Sequence, residues 1–139
     1  MTETVRIPII KLYNNLIVSI QIALSDRLVS QLKDDIAMEI EKTEAKGLII
    51  DVSGVDLMDS YISRTIRDIA HIAAIMGVET VISGLDPMVA LTLVEMGMNL
   101  EGIKTALNLE SAFEYLVDRH KTLHQDDEII IERIINREK

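Results

Sequence analysis

The segment from residue 47 to residue 64 constrains the fold of this chain most, because it predicts a strand, a loop and a helix in direct succession. Residues 48–50 are apolar without polar alternation and end at Asp51. This pattern is typical of a strand that a parallel sheet buries on both faces. Ser53-Gly54 predicts a turn, and an apolar pattern of helical period begins after Asp59-Ser60. The chain therefore contains at least one unit of an α/β fold.

Ser60 is the candidate functional residue of this segment. In open α/β sheets, ligands and reactive groups lie at the carboxyl ends of the strands. A helix that begins there offers free N–H groups and the positive end of its dipole, so Ser60 stands where an added phosphate could be held. The competing interpretation is that Ser60 only helps Asp59 to start the helix. Ser63, one turn later and deeper in the helix, is a secondary candidate acceptor.

The remaining pattern predicts a mixed sheet with amphipathic helices. The predicted strands comprise residues 5–12, 16–20, 48–50, 80–82 and 102–106, and the predicted helices comprise residues 26–46, 59–76, 88–96 and 109–120. Pro8 places the first strand at a sheet edge, and the short turn after it predicts an antiparallel hairpin. Gly47 is expected to stop the first helix. The predicted fold class is α/β, with an antiparallel N-terminal edge pair and about four helices mostly on one face.

The composition fits one compact domain and excludes several classes of function. The 139 residues are 48% hydrophobic and 27% charged, which is enough for one core but not for two domains. The net charge of −9 disfavours nucleic acids and anionic membranes as partners. The sequence has no cysteine, no apolar run of membrane-spanning length, no signal-peptide pattern and no glycine-rich nucleotide motif. We therefore expect a cytoplasmic protein with protein partners and with no cofactor or metal.

Two stretches resemble a known family: IIDVSGVDLMDSYISRTI at residues 49–66 and MGVETVISGLDPMVALTLVEMG at residues 76–97. Together they look like a STAS domain, the fold of anti-sigma-factor antagonists. The opening RIPIIKLYNNLIVSIQ is similar to the RsbS family, the small single-domain STAS proteins of the bacterial stressosome. The resemblance covers residues 6–120. It predicts a STAS domain at residues 1–120 and a C-terminal extension at residues 121–139.

This resemblance implies a non-enzymatic scaffold that regulates a stress response, with Ser60 at the position of the family's phosphorylated serine. The scaffold would hold an RsbT-type serine kinase until phosphorylation releases that kinase. RsbR-type STAS sensor proteins would join it in a large mixed assembly, and an RsbX-type phosphatase would reset it. We expect a homodimer able to enter that assembly. The expected kinase interface comprises Asp56, Met58, Asp59, Ser60 and Arg64.

Other interpretations have weaker support. Asp51 ends a buried strand as the phosphoacceptor of a receiver domain would, but residues 11–15 lack the acidic pair that binds Mg²⁺. His120 and His124 have the spacing of a helical metal pair, without a motif glutamate between them. Paired loop aspartates could suggest a glycosidase, yet one Phe, three Tyr and no Trp offer little surface for sugar stacking. Within the family, the alternatives are a ligand-sensing STAS domain and an anti-sigma-factor antagonist.

The extension at residues 121–139 departs from the length expected for the family domain. Ile130, Ile131, Ile134 and Ile135 fall at helical spacing, with charged residues on the remaining faces. The segment is therefore either a helix for assembly or partner binding, or a terminus that folds back on its own domain or frays.

Overall fold

A computed structural model describes residues 6–21, 24–55, 58–97, 100 and 102–137, with the backbone alone at residues 122–128 and 137. The strands of the described chain are β1 (Ile9–Leu12), β2 (Asn15–Ser19), β3 (Gly47–Asp51), β4 (Glu79–Ser83) and β5 (Lys104–Ala106). Its helices are α1 (Asp26–Thr43), α2 (Ser60–Ile75), α3 (Pro87–Glu95) and α4 (Leu109–Arg137).

The strands form one sheet in the order β1-β2-β3-β4-β5. β1 and β2 pair antiparallel, and every other neighbouring pair is parallel. β1 begins directly after Pro8 and lies at the edge, as predicted, because proline has no N–H to donate to a ladder. The mixed sheet with an antiparallel N-terminal edge pair is confirmed.

Helices cover the two faces of the sheet unequally. α1, α2 and α3 bury apolar side chains on the face that carries Leu48 and Ile50. α4 packs on the opposite face, where Ala112 and Leu116 cover Ile49. β3 is therefore enclosed from both sides, and its three central side chains are fully buried. This arrangement explains why the apolar run in β3 shows no polar alternation.

The expectation that Gly47 stops the first helix is wrong. α1 ends at Thr43, and Glu44 closes it in the left-handed conformation with a φ of 54°. Gly47 instead opens β3, where a Cβ would contact Asn15 Oδ1 and approach Leu116 Cδ1 to 2.8 Å. The glycine is needed because β2 and α4 both pack closely against the start of β3.

α4 does not end near His120 but continues as one helix of 29 residues to Arg137. No glycine or proline occurs after Gly102, so no residue of the segment breaks the helix. The described side chains at residues 129–136 are all exposed. The extension therefore does not fold back on its own domain in this structure, and it continues the last helix of the fold.

Candidate functional site

The candidate site lies where β3 ends and α2 begins. Asp51 closes β3, and its carboxylate accepts hydrogen bonds from Ser53 N at 3.3 Å, Ser53 Oγ at 3.0 Å and Ser83 Oγ at 3.2 Å. Gly84 allows this close approach of the next strand, because a Cβ there would lie 2.7 Å from Ser53 Cβ and its φ is +77°. Asp51 therefore fastens the loop to β4. This role differs from the phosphoacceptor role that a receiver domain would give it.

Met58 and Asp59 position the first turn of α2. Met58 is only 1% exposed and packs in the core beneath the loop. Asp59 caps the helix, and its Oδ1 accepts a hydrogen bond from Ile62 N at 2.8 Å. The expectation that Met58 contacts a kinase does not fit this burial, because an apolar side chain enclosed by the core presents no surface. Met58 instead anchors the chain in the core directly before the cap residue Asp59.

Ser60 is the first residue of α2 and is exposed to solvent. The first N–H groups of a helix lack intrahelical acceptors, so an anion attached here meets free donors and the positive end of the dipole. Ser63 is only 6% exposed, and its hydroxyl has no hydrogen-bond partner within the described part of the chain. Access therefore favours Ser60 over Ser63, because an enzyme would have to open the helix to reach Ser63.

A groove of about 290 Å³ lies between α1 and α2, and Tyr61, the residue after Ser60, is part of its lining. Where the two helices begin, the Tyr61 hydroxyl donates a hydrogen bond of 2.6 Å to Asp26 Oδ1 across the groove. This bond, with smaller contributions from desolvation and from the carboxylate charge, raises the pKa of Tyr61 above 10.0. About two turns further along the helices, Lys33 Nζ and Asp68 Oδ2 form an ion pair across the groove at 3.1 Å. Arg64 lines the same groove and is exposed one turn after Ser60.

The structure thus brings together Asp59, Ser60 and Arg64 of the predicted kinase interface. Asp56, the remaining predicted member, lies outside the described residues. The hydrogen bond between Tyr61 and Asp26 was not predicted from the sequence. A signal for it exists, because α1 and α2 follow the carboxyl ends of two adjacent parallel strands, and their first turns must therefore lie close together.

Metal and membrane features are not found in the part of the chain described by the structure. It contains no group of three or more histidine and acidic side chains placed to hold a metal ion. His120 is half-buried, with Nε2 lacking a recorded partner there, while the side chain of His124 lies outside the description. Within the same limits, every helix is too short or too polar to span a bilayer.

Comparison with known proteins agrees with this architecture. The family model of the STAS domain matches residues 6–112. The solved structure of a serine-to-glutamate variant of RsbS from Moorella thermoacetica is 35% identical with a TM-score of 0.72, and the match covers 83% of this chain and 97% of that chain. A chain from the solved molecular architecture of the stressosome is 36% identical with a TM-score of 0.72, over 81% of this chain and 98% of that one.

A curated relative gives the same assignment over a shorter segment. The RsbT co-antagonist protein RsbRD of Bacillus subtilis is 34% identical over 65 residues, which are 47% of this chain and 23% of that protein. The chain spans about a quarter of the length of this curated relative and of two further RsbT co-antagonist proteins that it matches. Because the family model covers most of the sequence and two solved relatives match it over nearly their whole length, the chain belongs to the STAS domain family and is related to the stressosome proteins RsbS and RsbR.

Proposed function

We propose that this chain is a non-enzymatic, cytoplasmic scaffold of a stressosome-type assembly, which holds an RsbT-type serine kinase and releases it when Ser60 is phosphorylated. The observation that carries the proposal is an exposed serine at the first residue of α2, in a chain related to RsbS. RsbR-type STAS proteins would co-assemble with it, and an RsbX-type phosphatase would remove the phosphate. The chain itself would form homodimers within the assembly.

The first step of the proposed switch is local electrostatics around Ser60. A phosphate adds about −1.5 to −2 charges and three acceptor oxygens. The helix N-terminus favours this anion by only about 0.3–1 kcal/mol, and Arg64 can offset part of its charge. The carboxylate of Asp59, which caps the helix beside Ser60, opposes the negative charge of the phosphate. The phosphorylated domain therefore keeps its fold.

The second step is release of the kinase. A kinase docked over neutral Ser60 would, after phosphorylation, have to desolvate a dianion beside the Asp59 carboxylate. Desolvation of an uncompensated charge costs at least several kcal/mol. A loss of about 3–4 kcal/mol weakens binding by roughly two to three orders of magnitude, since about 1.4 kcal/mol corresponds to a factor of ten. Release then needs no rearrangement of the domain.

The test compares Ser60→Ala with Ser63→Ala, using a purified RsbT-type kinase and ATP. We expect Ser60→Ala to abolish phosphate incorporation in intact-mass spectra while still co-eluting with the kinase. Ser63→Ala should incorporate one phosphate, as the unsubstituted chain does. Phosphate on Ser60→Ala to one equivalent would refute the site. Equal kinase retention by the phosphorylated and unphosphorylated chains would refute the release mechanism.

The two alternatives within the family have less support. A ligand-sensing domain would need a cavity, and the groove beside Ser60 is an open one lined by Asp26, Lys33, Arg64 and Asp68. A thermal-shift screen with nucleotides and other small molecules separates this alternative from the scaffold. An anti-sigma-factor antagonist would share the phosphoserine switch but would bind a different kinase. Co-purification with candidate kinases of both types distinguishes the two.

A further inference from the structure

The second half of α4 carries an exposed apolar stripe. Ile130, Ile131, Ile134 and Ile135 are 55%, 56%, 56% and 53% exposed. At 3.6 residues per turn, these four side chains lie within an arc of roughly 140°, and Ile129 points away from its centre. The helix runs for about 25 Å beyond His120. The described residues at 129–136 are all exposed, so the stripe is uncovered by this chain.

This stripe continues the face of α4 that the domain already buries. Ala112 and Leu116 are fully buried against the sheet. Ile130 and Ile134 follow these two residues by about five full turns, so they lie on the same side of the helix. The same side of α4 is therefore buried against the sheet at Ala112 and Leu116 and exposed at Ile130 and Ile134.

The charges beside the stripe are separated along the helix. Its start carries the acidic residues Asp126, Asp127 and Glu128, and residues 132–139 carry three basic residues, Arg133, Arg137 and Lys139, against two acidic ones, Glu132 and Glu138. In an antiparallel pair of such helices, the acidic end of one faces the basic end of the other. In a parallel pair, like charges would face each other and destabilise the contact. The segment is thus complementary to itself in one orientation.

We propose that residues 128–137 of α4 form an antiparallel helix pair with the same residues of a second copy of this chain. The pair is centred between Glu132 and Arg133, so that Ile131 of each copy packs against Ile134 of the other. Asp126 of one copy then lies on the same flank as Arg137 of the other, within roughly 3 Å along the axis. The proposal is independent of Ser60 and of any kinase.

The same segment of a second copy fits this stripe better than the remaining surface of that copy does. Residues 121–139 contain five acidic and four basic residues, whereas the whole chain carries a net charge of −9. Two copies that meet through this segment therefore experience little net repulsion there. The contact is smaller than a standard stable interface. We expect a weak, concentration-dependent pair, which becomes significant where an assembly raises the local concentration of the segment.

The first experiment measures mass by sedimentation over a range of protein concentrations. The variant Ile131→Glu/Ile134→Glu places charges on the stripe and keeps good helix formers at exposed positions. The matched control is Ile129→Glu, which changes an isoleucine that is 48% exposed on the other side of the helix. We expect at least a tenfold increase in the dissociation constant for the double variant and less than a threefold change for the control. Equal behaviour of the two variants, or no self-association of the unsubstituted chain, would overturn the proposal.

The second experiment tests the orientation of the pair by disulfide cross-linking. Because the sequence has no native cysteine, every cross-link comes from the introduced cysteines. Asp126→Cys and Arg137→Cys chains are oxidised separately and as a mixture. An antiparallel pair cross-links only in the mixture, because two Asp126 positions lie roughly 20 Å apart along the axis and two Arg137 positions roughly 13 Å. Cross-linking of each variant with itself would indicate a parallel pair, and no cross-link in the mixture would indicate a different contact. Either result would overturn the antiparallel pair.

Discussion

Among single residues, Asp59 combines two effects that must be separated before the switch is interpreted. Its carboxylate caps α2 through Ile62 N, and its negative charge lies beside Ser60. The cap stabilises the fold in every state of the protein. The charge matters only after Ser60 gains a phosphate, when it opposes the new anion. A substitution that keeps the hydrogen bond and removes the charge distinguishes these effects.

We predict that Asp59→Ala lowers the free energy of unfolding by about 1 kcal/mol, because Ile62 N loses its acceptor. Asp59→Asn should change it by only a few tenths of a kcal/mol, since asparagine caps nearly as well. Urea denaturation followed by circular dichroism measures both values. If Asp59→Asn is as unstable as Asp59→Ala, then the charge stabilises the native state and the cap is not the main effect.

The bond from Tyr61 to Asp26 predicts a dependence on pH. Because the carboxylate holds the phenol protonated in the folded protein, the pKa of Tyr61 is raised above 10.0. Its contribution to stability is therefore complete below pH about 10, the pKa of an unfolded tyrosine, and is lost as the pH rises through the folded pKa. We expect Asp26→Asn to lower the pKa of Tyr61 towards 10.0, measured by tyrosinate absorbance.

Tyr115 provides an internal reference for that titration. Its hydroxyl donates to Glu79 Oε1 at 2.9 Å, which raises its pKa for the same reason, and Asp26 lies elsewhere in the fold. Tyr61→Phe and Tyr115→Phe assign the two transitions. An unchanged Tyr61 transition in Asp26→Asn would contradict the role given to this hydrogen bond.

Among elements, those governed by local chemistry were predicted well. β3 was recognised because a strand covered on both faces must be apolar throughout, and the start of α2 because Asp59 is a favourable cap next to Ser60. The errors came from packing between distant segments. The sequence pattern predicts that Gly47 stops a helix, whereas in the structure β2 and α4 leave no room for a side chain there. The sequence pattern assigns Met58 to a loop, whereas in the structure the core encloses it.

α4 shows the same limit over a longer range. Apolar residues at helical spacing occur again at residues 130–135, but spacing alone does not determine whether these later turns are buried. The structure leaves them exposed on a helix that continues without a break. The two halves of one element therefore contribute to stability in different ways.

We predict that Leu116→Ala lowers the free energy of unfolding by about 2–5 kcal/mol, because it leaves a cavity between α4 and the sheet. Ile134→Ala removes a similar volume from the exposed half and should change the value by no more than about 0.5 kcal/mol in dilute protein. Urea titrations of both variants at the same low concentration make the comparison. A large loss in Ile134→Ala under these conditions would show that the second half of α4 supports its own domain.

Over the whole molecule, the anchoring of α2 determines what a modification at Ser60 can do. Ile66, Ile69 and Ala73 bury the inner face of the helix in the main core, and buried Met58 holds the chain directly before its cap. These contacts lie on the side of α2 away from exposed Ser60. A charge added at the surface therefore acts on a rigidly held helix, and its effect should remain at the interface that it faces.

The last prediction is that phosphorylation of Ser60 changes binding and leaves the fold intact. An anion at a helix N-terminus alters stability by about 0.3–1 kcal/mol, which corresponds to a shift in Tm of no more than about 5 °C for a domain of this size. Amide chemical shifts should change for the first turn of α2 and the loop before it, while β2, β4 and α4 keep theirs. The affinity for the kinase should nevertheless fall by roughly two to three orders of magnitude. A loss of kinase binding accompanied by shift changes throughout the sheet would show that release operates through a rearrangement of the domain and not through charge at its surface.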